Sequence, residues 1–95
     1  MITLHPDSYY PIREDLYGAL ERYLNNGIMP GSFLTAVLQN NLCEAIGRAD
    51  HMNQPNLHNI VGYIYNHLPS NSWGSPEKVK EYLDQLSTRD TADNG

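Results

Sequence analysis

Charge is scarce in this chain. Only 18% of its 95 residues are charged, six Lys and Arg stand against eleven Asp and Glu, and the formal net charge is −5. Tracking a nucleic-acid polymer depends on Lys and Arg displacing counterions from phosphates, so that class of partner is not expected. Cys43 is the single cysteine, which rules out an internal disulfide and fits a reducing compartment. It falls within a helical apolar pattern and is expected in the core.

Long apolar runs are also missing, and the stretch Met1 to Asp7 has neither a basic region nor an apolar region of leader type. No membrane association is expected, and the expected location is the cytoplasm, of a host if the chain is phage-encoded. Catalytic sets are equally sparse. The histidines His5, His51, His58 and His67 form no H-E-x-x-H pair, and no second cysteine completes a zinc set. His58 and His67 are nine residues apart, roughly 180° around a helix, so they cannot share one ion. No serine sits in a G-x-S-x-G frame. Glu14 and Asp15 are adjacent, and adjacent helical residues point apart. The reading is of a non-enzymatic protein with no metal and no cofactor.

What the chain does have is neutral polarity: seven Tyr and ten Asn. At this length it forms one domain, and it buries roughly 60–65% of its unfolded surface, so self-association into a homo-oligomer is expected to supplement its stability.

Hydrophobic spacing predicts an all-α, compact bundle of four to five short helices, with residues 1–10 as an N-terminal extension, 11–87 as the helical domain and 88–95 as a disordered tail. The first helix is expected from Pro11, with Ile12, Leu16, Leu20, Tyr23 and Leu24 as its stripe and Gly27 as its stop. The second opens at Gly31 or Ser32 and places Phe33, Leu34, Val37, Leu38, Leu42, Ala45 and Ile46 on one stripe. It kinks or breaks at Asn40-Asn41, where Asn41 suits a cap. The third starts at Pro55, carries Leu57, Ile60, Val61, Ile64 and Leu68, and stops at Pro69. The last starts at Pro76 with Ser75 as its cap and carries Val79, Tyr82, Leu83 and Leu86.

Several positions invite a ligand reading. On the third helix Asn56, Asn59, Tyr63, Asn66 and His67 form a face that is polar yet uncharged, able to hydrogen-bond a base edge, a partner backbone or simply neighbouring helices. Gly31-Ser32 and Gly74-Ser75 lie where backbone amides and a hydroxyl can cradle an anion or merely cap a helix. Arg22, Arg48 and Lys78 are the cations beside these positions. Trp73, in a loop, either locks that loop onto the core or stacks on a ligand, and Tyr9, Tyr10 and Tyr17 share this ambiguity, with at least one expected to meet a ligand or another subunit.

The runs Gly27-Ile-Met-Pro-Gly-Ser-Phe-Leu-Thr-Ala-Val-Leu38, Tyr63-Ile-Tyr-Asn66 and Trp73-Gly-Ser-Pro-Glu-Lys-Val79 resemble those of a family of small phage and mobile-element proteins over residues 19–84. The resemblance implies a viral origin and a role in host takeover or counter-defence. Two roles follow from it. One is a sponge that sequesters a small anionic, nucleotide-like signal such as a cyclic nucleotide, with Arg22 or Arg48 on the phosphate and Asn59, Tyr63 or Trp73 on the base. The other is an interaction module that inhibits or adapts a host protein.

Overall fold

A computed structural model describes residues 1–49 and 56–94, with side chains through Ser87. The expected helix start at Pro55, and His51, lie outside the described residues. Five α-helices follow one another: α1 Glu14–Asn26, α2 Ser32–Leu38, α3 Leu42–Arg48, α4 Leu57–His67 and α5 Pro76–Asn94, with a 3₁₀ turn at Ser70–Ser72 between α4 and α5. Among the described residues there is no strand. The chain is all-α.

Helix α1 starts three residues after the expected Pro11. Tyr10 precedes a proline, which disfavours helical torsions there, and Arg13 is still extended at φ −61°, ψ 146°. Its guanidinium reaches Asp15 at 3.0 Å, and Glu14 and Asp15 place negative charge at the positive end of the helix. At the other end Gly27 takes the left-handed conformation, φ 70°. Its N–H donates to Tyr23 O at 3.0 Å, and the Ile28 N–H donates to Arg22 O at 3.3 Å, the paired bonds of a Schellman stop.

The break at Asn40-Asn41 is complete. Asn40 adopts φ 59°, a conformation that asparagine tolerates better than most residues, and the Asn41 side chain caps α3 by accepting from Glu44 N at 3.2 Å. This break corrects three expectations. Three non-helical residues, Gln39 to Asn41, reset the helical phase, so the stripe of α2 does not continue into α3, where Ala45 is buried while Leu42, Ile46 and Cys43 are exposed. Pro69 ends α4 as expected, with Leu68 extended before it. Ser75 Oγ accepts from Lys78 N at 3.1 Å and caps α5, which runs to Asn94.

Leu16, Leu20 and Leu24 of α1, Phe33, Leu34, Val37 and Leu38 of α2, Ile60 and Ile64 of α4, and Val79 and Leu86 of α5 make one apolar core. Tyrosines tie its parts together. Tyr23 and Tyr82 meet ring to ring at 5.5 Å, Tyr23 OH donates to Ser72 O at 2.7 Å, and Tyr82 OH donates to Leu24 O at 2.5 Å. Trp73 packs against this core while Gly74 N donates to Leu38 O at 2.8 Å, so the α4–α5 connection is locked to the end of α2.

Both Tyr23 and Ser72 are fully buried. Replacing Tyr23 by Phe therefore leaves a buried carbonyl without its donor and is expected to cost about 1–3 kcal/mol, read as a lower urea midpoint at unchanged m-value.

Candidate functional site

Two surfaces gather polar side chains. The first is a cleft of about 350 Å³ lined by Pro30, Ser32, Thr35, Gln39, Asn41, Glu44 and Arg48. It exists because the break at Asn40 folds α3 back against α2. Thr35 Oγ1 donates to Pro30 O at 2.9 Å, and Asn41 is engaged in capping, which leaves hydroxyl and carboxamide groups along the walls. Arg48 Nε donates to Glu44 Oε2 at 2.8 Å, one helical turn away. This carboxylate already neutralises the cation that a phosphate would need.

The second surface is a trough on α1 and α4 that holds the N-terminal segment, which lacks regular structure through Asp7 and turns at Ser8–Tyr9, where Tyr10 N donates to Asp7 O at 3.1 Å. The Asn25 carboxamide takes both main-chain groups of Ile2: Ile2 N donates to Oδ1 at 2.7 Å, and Nδ2 donates to Ile2 O at 2.8 Å. Leu4 N donates to Glu21 Oε2 at 2.7 Å. Tyr63 OH donates to His5 O at 2.6 Å, and His67 Nε2 lies 2.7 Å from Asp7 Oδ2. Tyr10 lies against Gly62, where an added Cβ would fall inside its ring, and its ring centroid is 6.0 Å from that of His58. We call residues 1–10 the strap.

The trough's electrostatics follow from these contacts. The Asp7 carboxyl titrates below its usual 3.8, chiefly through the hydrogen bond with His67 and then through the Tyr9 amide. Tyr63 lies edge-on to Tyr17 at 5.4 Å and is stacked under His67 at 4.4 Å. Burial, followed by the neighbouring Tyr17, pushes its phenol up to about 12.

The sequence-predicted ligand residues are thus dispersed. Ser32 and Arg48 share the α2/α3 cleft, while Gly31 is exposed at the start of α2. Arg22 lines a different recess with Met1, Thr3, Gly18 and Glu21. Tyr63, expected on a solvent-facing polar face, is fully buried in the core. Asn66 donates to Gly62 O of its own helix at 2.7 Å, and Asn59 is half-buried on α4. At the start of α5 the Ser75 hydroxyl is engaged as a cap, and the Lys78 stem covers Gly74. Trp73 meets Tyr65 edge-on at 5.7 Å, and its Nε1 is buried without a hydrogen-bond partner. Of the N-terminal tyrosines, Tyr10 and Tyr17 pack within the chain, while Tyr9 is 85% exposed.

Among the described residues no three His, Cys, Asp or Glu side chains converge to hold a metal ion, and no helix is long and apolar enough to cross a membrane. Sequence reasoning missed Asn25, Glu21, Asp7 and Gly62 as a set. The one available signal was Gly62, a glycine inside a helix, but Gly18 and Gly47 carry the same signal without so close a packing partner. No family model, curated protein or solved structure matches the chain.

The raised phenol of Tyr63 makes stability depend on alkaline pH. Its folded value lies above the ordinary 10, so its contribution is full below pH 10 and is lost as pH rises through about 12. Tyr63→Phe is expected to flatten that part of a stability–pH curve and to lose about 1 kcal/mol at neutral pH with the His5 hydrogen bond. Asp7 acts in the opposite sense. Its lowered value gives a contribution present above pH 3.8 that disappears as pH falls further, and Asp7→Asn is expected to remove this acid limb in chemical denaturation.

Proposed function

We propose that this protein is a non-enzymatic interaction module that binds another protein, in keeping with the inhibitor or adaptor role implied by the resemblance to small phage proteins. The observation that carries this reading is the outer face of α3. Leu42 and Ile46 stand one helical turn apart and are 44% and 54% exposed. Beside them Gly47 has open space where a side chain would be. A short helix that turns two large aliphatic side chains outward, next to a cleft of neutral amides and hydroxyls, matches the apolar centre and polar rim of a protein interface.

Sequestration of an anionic nucleotide is less well supported. Arg48 is paired with Glu44, Arg22 lines a separate recess, and the phenol assigned to the base is buried. With a net charge of −5, a polyphosphate has little to draw it to this surface. An acidic surface does suit a partner with a basic face, such as a host protein that handles nucleic acid.

The test uses two forms of the full chain as bait, the natural one and Leu42→Lys/Ile46→Lys, in a quantitative pull-down from host-cell extract with calorimetry alongside. A stoichiometric protein retained by the natural chain and reduced at least tenfold by the double substitution supports the reading. Binding of a cyclic dinucleotide at tens of micromolar, abolished by Arg48→Ala and unaffected by the α3 substitutions, would overturn it in favour of sequestration.

A further inference from the structure

We propose that the trough on α1 and α4 is a peptide-binding groove, occupied in cis by the strap, and that it accepts the same segment of a second copy by exchange. This inference uses a surface separate from the α3 face and does not depend on it.

The contacts are those of peptide recognition. Asn25 pairs with both the amide and the carbonyl of Ile2, as a neighbouring strand would, while Glu21 takes the Leu4 amide and Tyr63 donates to the His5 carbonyl. These contacts read main chain. Side-chain selectivity comes from Leu4, which is buried in the core, and from Tyr10, which requires the missing Cβ of Gly62. The groove is therefore matched to this one sequence, and the peptide that fits it in trans is the strap of another copy.

The connection also favours exchange. All the groove side chains named, from Glu21 to His67, follow the strap in sequence, and the strap contributes nothing to the helices' own hydrogen-bond ladders. To the rest of the domain it is a ligand on a tether. That tether runs from Pro11 to Arg13, where Arg13 is extended and its guanidinium, paired with Asp15, anchors the end of the tether at the start of α1. The tether is only three residues long, and contacts formed in trans duplicate those lost in cis. Such an element exchanges between protomers at little cost.

Exchange is tested by cross-linking with the full chain, in which Cys43 is first replaced by Ser. One form carries Thr3→Cys on the strap and the other Arg22→Cys, two positions lining the same recess. A single chain carrying both substitutions is expected to cross-link internally with a short bis-maleimide, and absence of that product would overturn the groove itself. After the two forms are mixed at high concentration and incubated, the mixed dimer is expected at several times the yield of a control in which Thr3→Cys faces a chain retaining only Cys43 on α3. Mixed dimer at or below the control yield would overturn exchange. Adding Gly62→Ala to the Thr3→Cys chain alone displaces Tyr10 from its own groove while the other chain keeps Gly62; this is expected to raise the mixed-dimer yield several-fold, and an unchanged yield would overturn the Tyr10–Gly62 contact as part of what holds the strap. The arms with Gly62 intact keep the test decisive if that variant folds poorly.

Discussion

The hydrogen bond from Tyr63 to the His5 carbonyl joins the two halves of this structure. At one end Tyr63 is fully buried among Tyr17, His67 and the α1/α4 contact, so its position is set by the core. At its other end the phenol holds the strap, and the bonds at Ile2, Leu4 and Asp7 lie on either side of it. A phenol suits this role in a chain with little charge, because it carries apolar area into the core and delivers a neutral donor at the edge without the desolvation cost of an ion. Tyr23 and Tyr82 repeat the device at Ser72 and Leu24. Three tyrosine hydroxyls thus tie helices to the strap, to the 3₁₀ turn and to one another, as salt bridges do in more highly charged proteins.

This economy explains the character of the surface. Ion pairs such as Arg13–Asp15 and Arg48–Glu44 are local in sequence and solvent-exposed, where such pairs contribute little. Most contacts that fix tertiary structure are neutral and link residues distant in sequence, the carboxylates of Glu21 and Asp7 at the strap being the exceptions. A surface freed from structural charge leaves apolar side chains on α3 and a polar cleft beside them, features more useful for holding a protein than for attracting a phosphate.

Much of the fold is readable in the sequence because it rests on local rules. Gly27 as the left-handed stop, Asn41 as a cap, Pro69 as a terminator and Ser75 as a cap each act within four residues, and residue type alone predicts them. The α1 stripe is readable for the same reason. The phase of α3 is not, because one left-handed residue at Asn40 rotates everything after it, and Leu42 and Ile46 pass from core to surface without any change in apparent periodicity. The start at Pro11 fails because Arg13 is still extended, while Tyr10 closes a turn back to Asp7 and packs against Gly62, a long-range contact that residue type at Pro11 does not show. The trough fails most completely. Asn25 reads as a helix breaker, Glu21 as a solvated acid and Tyr63 as part of a polar face, and only the folded chain brings a peptide across all three.

The strap is bound through its main chain by α1 and α4. Amide hydrogen exchange on the natural protein, resolved residue by residue by NMR, checks this binding. The Ile2 and Leu4 amides, which donate to Asn25 and Glu21, are expected to exchange far more slowly than in a free peptide of the same sequence, while the intervening Thr3 amide exchanges faster than either. Free-peptide rates at both Ile2 and Leu4 would contradict it.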